Sequence, residues 1–410
     1  MLLGILVGVA CGYLLPSFSN SISIIGEIFL RLLSLLILPV IVVSMISGIL
    51  GLNSAENLGR LGLKTLVYYT ITTALAVITG LTIVNLIDPG KSNLANSTSL
   101  ELSQTVTSPE SLSAESLGGL TEVARNIFPK NIISAASEGN ILGVIFFSIL
   151  IGVALISVKH PGVKTIKDML GALFEAVIKL VDWVMYLAPI GIFALVANLT
   201  AEFIADGKLL NLGGSIAAYS FTVITGLAIH GLFSLALIAF LFKINPLKFF
   251  LAMFPALTTA FSTASSAATL PLTIDSLRDN AGVPNKYASF VAPLGATINM
   301  DGTAIYEAIA AVFIANMYGI DLTLGQQAVI FLTATFSAIG AAGIPGAGLI
   351  MMTLVLHSVG LPAQGIELIV IVDRALDMLR TSINVWGDSI GAAVLAVSEG
   401  ETKLLEKVGL

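Results

Sequence analysis

Residues 1–26, 32–55 and 209–242 of this chain carry no Asp, Glu, Lys or Arg. Each run is long enough for a helix of about 20 residues to cross the hydrocarbon of a bilayer. A segment in lipid must satisfy its own backbone polar groups, which restricts it to a helix or a strand of a closed barrel. Barrel strands are short and alternate in polarity, and no such segments occur. Composition agrees: 56% of residues are hydrophobic and 11% charged, against about 25% charged in soluble domains. The expected fold is therefore an all-α polytopic membrane protein.

Simple spans are expected at 1–18, 21–50, 61–87, 139–158, 166–199 and 211–243. Two interrupted apolar regions follow at 247–282 and 322–358, each trailed by a helix, 284–315 and 364–398. Residues 88–138 read as a long aqueous loop rich in Ser, Thr and Glu. Its end carries a short amphipathic helix. The net charge of −6 is thinly spread, and no basic run points to nucleic acid. The single cysteine, Cys11, allows no internal disulfide or zinc motif. No Lys or Arg precedes it, so residues 1–18 read as a first spanning helix with Cys11 buried, not as a cleaved leader. With a cytoplasmic N-terminus, eleven basic residues fall inside: Arg60, Lys64, Lys159, Lys164, Lys167, Lys243, Lys248, Arg278, Lys286, Lys403 and Lys407. Lys91, Arg125, Lys130 and Lys208 fall outside. That bias fits the positive-inside rule if both interrupted regions re-enter without crossing. A multi-pass plasma-membrane protein (inner membrane in a Gram-negative cell) with both termini cytoplasmic is expected.

The region 322–366 is uncharged for roughly 45 residues and is broken at its centre by Gly340-Ala341-Ala342-Gly343-Ile344-Pro345-Gly346-Ala347-Gly348. Glycine and proline interrupt helices. Irregular backbone at membrane depth is tolerated only inside protein or along a polar cavity. The earlier uncharged run, 249–274, has the same design, with Ser262-Thr263-Ala264-Ser265-Ser266 ahead of Pro271. Two interrupted segments, each followed by a polar-studded helix, are the mark of an inverted repeat with a midplane binding site. An isolated serine would more simply pack helices together; two matching hairpins favour binding.

The last helix places Asp373, Asp377, Arg380, Asn384 and Asp388 at spacings of 4, 3, 4 and 4, within an arc of roughly 80°. A structural ion pair explains one acid and the arginine, but not three acids and an amide on one face. Charges at membrane depth are functional by default. Arg380 offers a fork matched to a carboxylate, and Asp377 suits an ammonium group. Asp388, without a basic neighbour in sequence, suits a hard cation. Asn299-Met300-Asp301-Gly302-Thr303 reads as an unwound helix whose carbonyls and Asp301 offer oxygen ligands for Na⁺. Glu307 is a lone buried carboxyl, equally placed to carry a proton or to tie two helices. His230 reads as a packed helix residue, and Trp183 and Tyr186 as interface anchors.

These residues resemble the glutamate transporter family, the dicarboxylate/amino acid:cation symporters. The resemblance is carried by Thr263-Ala264-Ser265-Ser266, Asn299-Met300-Asp301-Gly302-Thr303, Gly343-Ile344-Pro345-Gly346-Ala347-Gly348 and the stripe from Asp373 to Asp388. It covers nearly the whole chain. It implies a homotrimer, each subunit having eight transmembrane helices and two re-entrant hairpins with inverted repeats, working as an elevator. Residues 1–60 and 139–207 would form the scaffold, and 61–87 and 208–410 the moving transport domain. The implied partners are L-aspartate or L-glutamate and membrane lipid, and an uncoupled chloride conductance often accompanies the fold.

Carried over by position, Arg380 would take the side-chain carboxylate and Asp377 the amino group, with Thr381, Asn384 and Thr303 adding hydrogen bonds. Ser265, Ser266, Gly343 and Ile344 would enclose the main-chain carboxylate. One Na⁺ would sit on Asp388 with Gly295, Asn299 and Asn384, and a second on carbonyls of Thr297, Ala338, Ile339 and Ala341. A third would use Tyr69, Thr72, Thr73, Asn299 and Asp301. Glu307 matches the family's proton-carrying carboxyl, which adds H⁺ and K⁺ to the candidate coupled ions. The sequence departs from the family at Ala264 and Met378, one or other of which is arginine in relatives; Arg374, one turn from Asp377, is the candidate substitute. A C4-dicarboxylate carrier, a neutral amino acid carrier and an anion channel are the rival readings. Asp377 opposes the first, an unanswered Arg380 the second, and an occluding hairpin the third. No nucleophile–base pair or metal-protease motif supports an enzyme.

Overall fold

Fifteen helices account for nearly all regular structure in the computed structural model, which describes residues 2–51, 59–91, 128–137, 140–205, 209–341, 343, 345–402 and 404–406. No strand occurs among the described residues. The helices are α1 (Leu2–Leu14), α2 (Pro16–Ser21), α3 (Ser23–Gly51), α4 (Gly59–Ile87), α5 (Ile132–Ser137), α6 (Ile141–Ser157), α7 (Gly162–Ala205) and α8 (Leu209–Leu241). The second half comprises α9 (Pro246–Thr263), α10 (Ser266–Asp275), α11 (Asn285–Ile298), α12 (Asp301–Met317), α13 (Leu324–Gly340), α14 (Ala347–Ser358) and α15 (Ile366–Ser398). Five spans among the described residues are long and apolar enough to cross a membrane.

Every expected span is helical, with adjustments at the ends. The first is cut short: α1 stops at Leu14, and Pro16 starts a new turn at its first helical position, where the missing N–H costs nothing. Cys11 is half-buried, not buried as expected, and accepts a long contact from Ser19 Oγ at 3.6 Å. The helix expected at the end of the long loop is α5; residues 92–127 and 138 of that loop lie outside the described residues. Trp183 and Tyr186 are 58% and 78% exposed.

Local signals place the boundaries. Asn245 caps α9 by accepting from Leu247 N and Lys248 N, both at 3.1 Å, with Pro246 behind it. Thr323 and Gln326 form a capping box at the start of α13. Ser265 caps α10 through Ala268 N. Between α11 and α12 the helix unwinds at Asn299 (φ −119°, ψ 90°) and Met300 (φ −118°, ψ 61°), as read from the sequence. Asp301 then opens α12, where an acid suits the positive end of the helix dipole.

The helices pack as two groups. α3 lies along α7 and α6, with α1 and α2 against α7. α4, α8, α9, α11, α12 and α15 pack on one another, and the pairs α9/α10 and α13/α14 fold back as hairpins. The groups meet chiefly where α13 and α14 lie against α3, and α15 against α7. Every residue of α12 is buried, which makes it the pole around which the second group is built. Leu33, Ile41, Val196, Ala304, Ile309 and Leu354 share one apolar core; Phe249, Val291, Ile390 and Leu395 share another.

Candidate binding site and its relatives

Two helix breaks meet at the centre of the second group. The first is at Ala264, in the left-handed region with φ 51°; the second falls between the end of α13 at Gly340 and the start of α14 at Ala347. They touch directly. Ser265 Oγ donates to Gly343 O at 2.8 Å, and Ala267 N donates to the same oxygen at 3.1 Å. A side chain at Gly343 would strike Ala296 O at 2.6 Å, so only glycine lets the second tip reach the last turn of α11. The N-termini of α10 and α14 thus converge, and paired helix N-termini favour an anionic ligand group.

Beside the tips runs the stripe of α15. Arg380 is fully buried. Its Nη2 donates to Asp377 Oδ1 at 2.8 Å and to Asp373 Oδ1 at 3.1 Å, while its guanidinium lies 3.7 Å over the Tyr306 ring. Nε and Nη1 have no hydrogen-bond partner among the described residues. A Cβ on Gly348 would sit 2.7 Å from Nη1, so the second hairpin presses on the arginine. Asp377 also accepts from Gly346 N at 3.0 Å. Thr381 Oγ1 donates to Asp377 O at 2.8 Å. Asn384 Oδ1 accepts from Gly302 N at 2.8 Å, and its amide faces Thr303 Oγ1 at 3.4 Å. Ser266, Thr303, Gly343, Asp377, Thr381 and Asn384 line one cavity. Its volume is ≈ 10 Å³, room for about one water.

A second cluster lies deeper. Asn299 Nδ2 donates to Asp388 Oδ1 at 2.9 Å, and Thr72 Oγ1 to Asn299 Oδ1 at 3.3 Å. Thr73 Oγ1 donates to Asp301 Oδ1 at 2.8 Å. Tyr69 donates to Val291 O at 2.9 Å. A Cβ on Gly295 would collide with Asp388 Oδ1 and the Tyr69 hydroxyl, so this acid and phenol both face the α11 backbone. No Lys or Arg contacts Asp301 or Asp388 among the described ion pairs. Buried carboxylates need cations or protons. Asp301, Glu307, Asp373, Asp377 and Asp388 are all buried, against one buried arginine among the described residues.

The candidate residues are therefore brought together, with these particulars. Ala338 and Ala341 are buried at the end of α13, and Thr297 is half-buried in the last turn of α11. Ile344 lies outside the described residues, as does the side chain of Ile339. Glu307 is buried and accepts from Ser337 Oγ, while its Oε1 has no partner. Arg374 Nη1 stands 4.0 Å from Asp377 Oδ2, one-third exposed.

Residue reasoning missed three partners. Tyr306, beneath Arg380, reads in sequence as one more apolar helix residue. Ser337, on Glu307, is separated from it by 30 positions. His230 is not a mere packing residue: its Nε2 lies 3.1 Å from Asp301 Oδ2. The signal for His230 was present, since an ionisable residue in an apolar span is a functional candidate.

Comparison with known proteins gives the same direction. The description "Sodium:dicarboxylate symporter family" matches residues 1–398. The chain is 38% identical to an excitatory amino acid transporter of Caenorhabditis elegans over 440 residues, covering 95% of this chain and 85% of that one. It is 37% identical to excitatory amino acid transporter 2 of Mus musculus (96% and 77% covered). It is 38% identical to excitatory amino acid transporter 1 of Ambystoma tigrinum (90% and 76% covered). On a match that runs through all the spans and both hairpins, the chain belongs to the sodium:dicarboxylate symporter family.

Proposed function

We propose that this protein is a secondary active transporter that moves L-aspartate or L-glutamate into the cell together with Na⁺. The charge balance of the buried cluster carries the reading. Arg380 has Nε and Nη1 without a hydrogen-bond partner among the described residues, and Nη1 lies against Gly348 of the second hairpin, which suits a side-chain carboxylate. Asp377 beside it suits an ammonium, and the paired helix N-termini suit a main-chain carboxylate. Asp301 and Asp388, which neither a lysine nor an arginine meets among the described ion pairs, are assigned to Na⁺, with Asn299, Thr72, Thr73 and Tyr69 alongside. Further Na⁺ ligands are the carbonyls of Thr297, Ala338, Ile339 and Ala341. The names of the relatives, all excitatory amino acid transporters, favour an acidic amino acid over a dicarboxylate or a neutral amino acid.

The tips leave no space for an amino acid, so α13 and α14 must swing away to admit it. The contact between the two helix groups is where an elevator would slide. We assign 1–60 and 139–207 to a trimeric scaffold in the plasma membrane, and 61–87 and 208–410 to the moving part, with both termini cytoplasmic. Glu307 is assigned to co-transport of H⁺, with K⁺ as a candidate counter-ion.

The test is uptake of radiolabelled L-aspartate by purified protein in proteoliposomes, with and without an inward Na⁺ gradient, beside Arg380→Ala. Sodium-dependent uptake that the substitution abolishes is expected. Uptake of succinate or alanine in preference to aspartate would overturn the substrate assignment, and uptake indifferent to Na⁺ would overturn the coupling.

A further inference from the structure

His230 interrupts an otherwise regular helix. The chain of α8 leaves the α-helical pattern at a π-helical turn, His230–Ser234, and resumes at Leu235. Such turns cost regularity and collect at functional sites. This one aims two groups inward. Gly231 O accepts from Trp386 Nε1 at 3.1 Å, which ties the turn to α15 two residues from Asp388. His230, fully buried, points Nε2 at Asp301 Oδ2.

Asp301 is then held at both oxygens, by Thr73 at Oδ1 and by His230 at Oδ2. The tautomer follows from the partners. Nε2 faces a carboxylate, which only accepts, so it carries the hydrogen and donates. Gly387 keeps the opposite side close, since a Cβ there would lie 3.1 Å from Asn299 Nδ2 and 3.2 Å from Asp301 Oδ2. The carboxylate therefore has one side fixed by α8 and another turned to the oxygen cluster around Asn299.

We infer that His230 is a positioning residue for sodium: its Nε2–H anchors Asp301 so that the carboxylate is oriented for the cation before the cation arrives. The inference rests on the assignment of Asp301 to Na⁺. Outer groups that orient a ligand carboxylate or imidazole typically change metal affinity by about 10- to 100-fold when removed. The donor is what matters, so an amide of similar reach replaces the imidazole, whereas an apolar chain of similar volume does not.

The experiment uses the full chain purified in detergent, in four variants: His230→Met, His230→Leu, His230→Gln and Asp301→Asn. The sodium midpoint is read from thermal stabilisation at constant ionic strength, without substrate, and aspartate KM is measured in proteoliposomes at saturating Na⁺. His230→Met and His230→Leu are expected to raise the sodium midpoint about tenfold or more and to leave the aspartate KM at saturating Na⁺ unchanged. His230→Gln is expected to stay near wild type. A shift in Asp301→Asn with none in His230→Met and His230→Leu would overturn the role of His230 alone. Equal damage from Gln and Met would overturn the donor argument. An unshifted Asp301→Asn would remove Asp301 from the sodium site, and the inference with it.

Discussion

At the scale of single residues, the site works through the difference between a fork and a point. Arg380 uses one nitrogen to hold Asp373 and Asp377 and keeps two others free. Arg380→Lys puts a single ammonium in that place, which cannot serve two acids and a ligand at once. A charge-assisted hydrogen bond contributes ~1.5–3 kcal/mol, so aspartate KM is expected to rise about 10- to 150-fold, with Vmax less affected; uptake kinetics measure both. Glu307 shows the same economy, with one oxygen on Ser337 and the other bare. Glu307→Gln keeps a polar contact but carries no exchangeable acid proton. Aspartate uptake is expected to persist while substrate-driven acidification of the vesicle lumen, read by a trapped pH dye, disappears. Sequence made Arg380, Asp377 and Asp388 legible because a charge in an apolar run has few innocent explanations. It hid Tyr306 and Ser337, because their meaning lies in contacts 74 and 30 positions away.

At the scale of elements, the two hairpins close on one backbone carbonyl. Gly343 O receives both Ser265 Oγ and Ala267 N, and Gly343 abuts Ala296 O. Gly343→Ala forces two backbones apart. Overpacking of this kind costs about 1–3 kcal/mol, all of it charged to the closed state. The ratio of occluded to open molecules is expected to fall about 5- to 150-fold, seen as slowed aspartate exchange in proteoliposomes loaded with unlabelled aspartate. The helix breaks themselves were readable as glycine and proline in the middle of apolar runs. Which carbonyl the first tip would meet was not, since nothing in 262–271 encodes the position of 343. The shortening of α1 at Leu14 was likewise masked: Pro16 marks a helix start as well as a helix stop.

At the scale of the whole molecule, the start of α4 and the end of α15 are joined by a small charge network. Lys64 and Arg60 both meet Glu399, the latter at 3.2 Å. The Lys64 hydrogen bond, followed by the Arg60 charge, holds the Glu399 carboxyl below its usual value. A depressed carboxyl stabilises the fold above the ordinary glutamate pKa, and that contribution is lost as pH falls through the lowered value. Glu399→Gln is therefore expected to lower thermal stability slightly near neutral pH and not at all in strong acid; the pair is exposed, so the effect is small. The proposed assembly predicts three chains per particle in native mass spectrometry, and a monomer would remove the scaffold assignment. Apolar period and charge spacing alone determined that this chain is a helical membrane protein with two broken hairpins and a charged last helix, because burial in lipid penalises every misplaced polar group locally. Only the tertiary structure decided that Arg380 lies over Tyr306, that Asp301 faces His230 and that the two tips lock on one carbonyl, because those energies arise between segments far apart in the chain.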